Sequence, residues 1–198
     1  MSRTATRQRT TKETSVAVSL DLDGSAGGKV QADTGLPFFD HMLDQLGRHG
    51  GFDLTVEATG DLHVDGHHTV EDVAIVLGEA FREALGDKAG VRRFASGLFP
   101  LDEALVEVAL DLSGRPFVVF DVPFGDVLAL GNPPFNPEMA EHFWQSFATS
   151  AGITLHVRLR EGRNTHHIVE ATFKGVARCL RDAVRVEGGG IPSTKGTI

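Results

Sequence analysis

His67-His68-Thr69-Val70-Glu71 and His166-His167-Ile168-Val169-Glu170 are two copies of one motif, 99 residues apart in a chain of 198. A lone acid–histidine pair precedes each copy: Asp40-His41 and Glu141-His142, 101 residues apart. Aligning the halves on those lone histidines lays Gly51-Phe52-Asp53-Leu54-Thr55-Val56 over Gly152-Ile153-Thr154-Leu155-His156-Val157. Further upstream, Leu20-Asp21-Leu22-Asp23-Gly24 resembles Leu110-Asp111-Leu112-Ser113-Gly114. A repeat this long exceeds any solenoid unit and points to gene duplication, with two pseudo-equivalent halves.

Local patterns give each half the reading strands, helix, strand, helix. Residues 15–22 and 104–112 alternate or are rich in β-branched side chains, as half-buried strands are. Phe38 to Arg48 has helical apolar spacing through Phe39, Met42, Leu43 and Leu46, with Pro37 at its start and glycines at its end. Residues 137–150 are its counterpart. Strands are expected over 53–58 and 153–159, and long helices over 69–85 and 168–184, with Gly131-Asn132-Pro133-Pro134 as a loop. The predicted fold is α+β: two halves packed as one unit, each a βαβ-type sheet with helices on one side. Residues 1–8 are expected as a flexible basic tail, 9–97 as the first half and 98–198 as the second.

With 41% hydrophobic and 23% charged residues the composition is that of an ordinary globular protein, and the formal charge of −8 argues against a nucleic-acid partner. No apolar run reaches the length of a membrane span, and the N-terminal residues lack the apolar stretch of a secretory signal. A cytoplasmic location is expected by elimination. The single cysteine, Cys179, fits a reducing compartment and reads as a buried helical thiol rather than a nucleophile.

The duplicated motif reads as metal ligands. Residues four apart on a helix share a face, whereas neighbours diverge by roughly 100°. His67 can therefore grip one ion with Glu71, and His166 another with Glu170, while His68 and His167 point elsewhere. Pseudo-symmetry assigns His142 and His167 to the first ion, and His41 and His68 to the second. Those eight residues make four nitrogen and oxygen ligands per ion, which suits a six-coordinate Mn²⁺ with positions left for water or substrate. A single such motif would more often be a surface accident, but two in register favour ligation. His63 and His156 read as surface or supporting groups, and His49 is open between roles.

A second, weaker signal is a scatter of cations: Arg93, Arg115, Lys174 and the tail Ser193-Thr194-Lys195-Gly196. Each alone reads as a solvated charge. Lys174 is more telling, four residues after Glu170 and so near the metal face. Together they could hold a phosphate.

Several stretches resemble one family. Phe38-Phe39-Asp40-His41-Met42-Leu43, Asp65-Gly66-His67-His68-Thr69-Val70-Glu71-Asp72 and Gly162-Arg163-Asn164-Thr165-His166-His167-Ile168-Val169-Glu170-Ala171-Thr172-Phe173-Lys174 look like imidazoleglycerol-phosphate dehydratase. Arg9-Thr10-Thr11-Lys12-Glu13-Thr14, Pro100-Leu101-Asp102-Glu103-Ala104, Asp111-Leu112-Ser113-Gly114-Arg115-Pro116 and Pro192-Ser193-Thr194-Lys195-Gly196 resemble it too. The resemblance implies a doubled ribosomal-S5-domain-2-like fold, two Mn²⁺ ions per active site, and a cytoplasmic 24-subunit shell with metal sites between subunits. It implies a hydro-lyase of histidine biosynthesis that removes water from imidazole glycerol phosphate to give imidazole acetol phosphate. No fused phosphatase domain is visible, so a single activity is expected. Glu13, His49, Arg93, Arg115, Lys174, Ser193 and Lys195 are carried over as substrate- and phosphate-binding residues.

The chemistry is awkward because no carbonyl acidifies the proton to be lost. Two metals on the substrate ring would favour imidazolate. The ring would then expel the neighbouring hydroxyl, giving a diazafulvene-like intermediate whose adjacent proton is acidic. Glu71, Glu170 and Glu13 are the candidate proton carriers. The rival readings are a two-metal hydrolase and a non-catalytic metal-storage shell.

Overall fold

In the computed structural model, which describes residues 3–25, 27–125, 129–196 and 198, each half contributes one four-stranded mixed sheet and two helices. The first half runs β1 (Thr4–Thr10), β2 (Thr14–Asp21), β3 (Val30–Asp33), α1 (Pro37–Gly50), β4 (Asp53–Gly60) and α2 (His67–Leu85). The second repeats it as β5 (Phe94–Leu101), β6 (Ala104–Asp111), β7 (Phe117–Asp121), α3 (Glu138–Ala151), β8 (Thr154–Glu161) and α4 (Thr165–Ala183). Strand orders match, β1-β2-β4-β3 and β5-β6-β8-β7. Strands β3 and β4 pair in parallel around α1, as β7 and β8 do around α3, and the remaining pairs are antiparallel. The fold is thus α+β with duplicated halves.

Alternation along the central strands decides which face is covered. Thr14, Val16, Val18 and Leu20 of β2 are buried, as are Ala104, Val106, Val108 and Leu110 of β6. Helices lie on those faces, α1 and α2 against the first sheet, α3 and α4 against the second. The helices also pack across the halves, α1 on α4 and α2 on α3. Within the second half, Phe143 and Trp144 of α3 pack on Phe173 of α4; across the halves, Phe147 meets Phe81 of α2 at 5.7 Å and Phe143 meets Phe39 of α1 at 5.5 Å between centroids.

Caps fix where the helices begin and end. Pro37 occupies the first turn of α1, and Gly51 closes it in the left-handed region at φ 70°. Asn164 caps α4 by accepting from the backbone N–H groups of His166 and His167, at 3.0 and 3.3 Å. Asp65 accepts from His67 N–H at 2.8 Å before α2. Both helices therefore start two to three residues earlier than their apolar periodicity predicts, and both histidine pairs sit in a first turn.

Two expectations need correction. Of the basic tail read at 1–8, Met1 and Ser2 lie outside the described residues, but Thr4–Thr10 is an edge strand paired along its length with β2. Its polarity misled because only Ala5 is buried. Arg7 and Arg9 reach over to Glu83 and Asp72 on α2. The division at 97/98 falls inside β5; the halves part between Leu85 and Phe94. The short or exposed strands β3, β5 and β7 also escaped the periodicity reading, having no buried stripe of their own.

Gly78 sets how closely α2 and α3 approach. A Cβ there would lie 2.6 Å from the Phe147 carbonyl oxygen and 2.7 Å from Ser150 Cβ. Alanine raises intrinsic helix stability by about 1 kcal/mol, but overpacking costs about 1–3 kcal/mol. Gly78→Ala should therefore lower the melting temperature despite its better propensity, as thermal unfolding would measure.

Candidate metal centre and anion pocket

All four helix N-termini meet at one end of the molecule. Phe38 of α1 lies 5.2 Å from His166 of α4 and 5.4 Å from Phe135, which leads into α3. Gly66, before α2, abuts Leu36 and Met139 closely enough that a Cβ would meet both. Two histidine–carboxylate clusters form at this end. His41 joins His166 and Glu170, and His142 joins His67 and Glu71, with one donor atom from each residue within 4.8 Å of the others.

Each cluster takes one residue from the first helix of one half and two from the second helix of the other. His41 Nε2 stands 3.4 Å and His166 Nε2 2.9 Å from the same Glu170 oxygen. The other Glu170 oxygen meets Lys174 Nζ at 2.5 Å. Burial opposes ionisation of Glu170, but Lys174 and His166 outweigh it and hold its carboxyl below the usual range. In the second cluster the His67 and His142 rings stack at 4.1 Å. His142 Nε2 points at Glu71 from 3.4 Å, buried and without a hydrogen-bond partner among the described residues. A buried imidazole nitrogen without a hydrogen-bond partner calls for one, and a metal held with the neighbouring carboxylate would supply it. The donor set, nitrogen and carboxylate oxygen without sulfur, fits Mn²⁺ chemistry.

His68 and His167, the expected fourth ligands, stand apart from both clusters, because each diverges from its neighbour around the helix. Their Nδ1 atoms instead meet carboxylates: His68 meets Asp61 at 3.0 Å and His167 meets Glu103 at 2.7 Å. These contacts raise both imidazole pKa values, and His167 with nearby backbone N–H groups draws the Glu103 carboxyl down to about 2. Neither acid was singled out from the sequence; a carboxylate ending a strand or turn carries no pattern of its own. Glu13 lies 3.9 Å from His68 and is more than half exposed.

The residues expected to bind an anion separate into two places. Arg93, Arg115, Ser193 and Lys195 line one cavity of about 870 Å³ with Ser113, Gly114 and Pro192. Arg93 is anchored by Asp111 at 2.6 Å and the Pro192 carbonyl at 2.7 Å. Its backbone N–H binds the carbonyl of Ala183, the last residue of α4. The cavity thus lies at the far end of α4 from His166, about 25 Å away by helical rise. Lys174 belongs instead to the metal end through Glu170, whereas His49, in the last turn of α1, faces the middle of α4: burial, then Lys174 and Arg178, lower its pKa.

A family profile described as imidazoleglycerol-phosphate dehydratase matches residues 34–180. This chain belongs to the imidazoleglycerol-phosphate dehydratase family. It is 59% identical to the imidazoleglycerol-phosphate dehydratase of Acidothermus cellulolyticus over 99% of this chain and 93% of that protein. Against the enzyme of that name from Methanopyrus kandleri the identity is 54%, covering 99% and 96%. The crystal structure of the Staphylococcus aureus dehydratase superposes with a TM-score of 0.82 at 34% identity, covering 92% of this chain and 99% of that one. The Pyrococcus furiosus structure, a complex with (S)-C348, gives 0.82 at 36%, covering 97% and 100%.

Cys179 is no part of either site. It is buried on α4 against the Val108 carbonyl, and burial pushes its thiol up to about 12. A thiol at that value stays protonated at pH 8, and the thiolate is the reactive form. Ellman's reagent should leave the native protein unlabelled at pH 8 and label one thiol per chain after denaturation.

Proposed function

We propose that this chain dehydrates imidazole glycerol phosphate to imidazole acetol phosphate in histidine biosynthesis, by way of a diazafulvene-like intermediate, in a cytoplasmic homo-oligomer of 24 subunits. The carrying observation is the pair of cross-half clusters, His41–His166–Glu170 and His67–Glu71–His142, in a chain of this family. They would hold two Mn²⁺ ions. Bound Mn²⁺ would acidify the imidazole ring, as a metal acidifies any ligand it polarises.

The residues do the rest. The histidines and glutamates fix the ring between the two clusters. The C–O bond on the ring-bearing carbon breaks first, and the hydroxide leaves as water with the proton given up by the ring; Glu13, Glu71 or Glu170 then takes the proton from the next carbon, and the resulting enol, reprotonated on the ring-bearing carbon, becomes the ketone. Arg93, Arg115, Ser193 and Lys195 hold the phosphate as fixed charges and hydrogen-bond donors.

Distance supports assembly. A three-carbon chain between ring and phosphate cannot bridge about 25 Å of helix. The phosphate cavity serving a given metal end therefore belongs to another copy. His68 and His167, turned away from their own clusters, would complete sites of neighbouring copies. The hydrolase reading lacks a comparable observation, because nothing at the clusters needs a separate anion cavity.

The deciding experiment follows imidazole acetol phosphate formation with and without Mn²⁺. Metal-dependent product supports the reading; hydrolysis products or no turnover with full metal loading overturn it. His41→Ala and His142→Ala should each remove about one of two bound ions per chain, measured by elemental analysis. Lys195→Ala or Arg115→Ala should keep metal and particle size but lose roughly tenfold to a hundredfold in kcat/KM, since a charge-assisted contact contributes about 1.5–3 kcal/mol. Chelation at neutral pH should shrink the particle in light scattering and Mn²⁺ should restore it, because ligands shared across a boundary link metal to assembly.

A further inference from the structure

We infer that Asp61 and Glu103 are positioning residues that hold His68 and His167 with Nε2 bare for a metal, and that Asp61 does so in place of Glu13. The inference rests on the metal reading above. A carboxylate can only accept, so the Nδ1 it meets must carry the proton, which leaves the lone pair on Nε2. Asp61 lies 3.0 and 3.2 Å from His68 Nδ1 through its two oxygens, and Glu103 lies 2.7 Å from His167 Nδ1. Nε2 is also the nitrogen that His41, His142 and His166 turn toward their cluster carboxylates.

The duplication shows how the first half departs from the second. Glu103 is the residue before β6, and its counterpart before β2 is Glu13. Glu103 bonds His167 and also accepts from the backbone N–H groups of Arg163 and Asn164, at 3.3 and 2.7 Å. Glu13 stands 3.9 Å from His68, outside hydrogen-bond reach, because Asp61 holds that nitrogen. Asp61 is the residue after β4; its counterpart after β8 is Gly162, at φ 151°. A Cβ at Gly162 would lie 2.9 Å from Ile168 and 3.2 Å from Ala104 side-chain atoms, so no side chain can enter there. At Nδ1 the second half therefore has one acid where the first has two; the other acid near His167, the exposed Asp102, stands 3.7 Å from Nε2, outside hydrogen-bond reach. The spare one, Glu13, keeps an exposed carboxylate beside a ligating imidazole, which a proton carrier requires.

Mn²⁺ binding, measured by equilibrium dialysis with electron paramagnetic resonance of the free ion, tests this. Asp61→Ala should weaken one class of site, with Glu13 able to swing in as a partial substitute. Asp61→Ala with Glu13→Gln should weaken it further, by about tenfold to a hundredfold. Glu13→Gln alone should leave metal affinity unchanged. The melting temperature of the metal-free protein should stay put in all three, while the rise on adding Mn²⁺ shrinks in the two that lack Asp61. Wild-type affinity in the double variant, or a loss matched by a lower metal-free melting temperature, would overturn the positioning role. A His68→Ala variant with wild-type Mn²⁺ binding would bring down the metal reading itself.

Discussion

Everything at the metal end depends on helices packing across the duplication. Helix α1 lies along α4 and α2 along α3, so each cluster draws on both halves. Neither half alone holds three such side chains together. His67 and Glu71 lie on one helix face, but His142 comes from the other half, and His41 reaches His166 and Glu170 the same way. Buried aromatic rings and the small residue Gly78 set the separation of α2 and α3, and thereby the distance between imidazole and carboxylate. Packing and ligation are linked at that contact.

The electrostatic layout follows from it. Helix N-termini carry partial positive charge and disfavour a cation. Here the buried carboxylate Glu170 and the partly exposed Glu71 offset that. Lys174 lies against Glu170 and keeps a largely buried carboxylate charged. The cavity with Arg93, Arg115 and Lys195 is at the opposite end of the helices. This separation lets the carboxylate-rich clusters and the cationic cavity each form without the other's opposing charge.

Duplication then permits divergence. The two halves share strand order and helix placement, yet their acids differ in use, with Glu103 and Asp61 at equivalent histidines and Glu13 left over. The chain belongs to a family named for a dehydration, a reaction that needs a proton carrier as well as a ring held in place.

The sequence by itself determined the duplication, the α+β class, the central strands, the four helices and the separation of His67 from His68 and of His166 from His167. Those features rest on short-range periodicity and on motif spacing, which a linear chain displays directly. It did not reveal β1, β3, β5 or β7 as strands, because edge strands with little burial have no apolar alternation to read. Nor did it mark Asp61 and Glu103, whose role comes from where β4 and the β5–β6 turn deliver a carboxylate. Lys174 and Arg115 read alike as cations in the sequence, but α4 brings Lys174, at its midpoint, onto Glu170 and leaves Arg115 in the cavity beyond its C-terminal end. Tertiary structure decided these points because contacts between residues far apart in the chain depend on packing, which local pattern does not record.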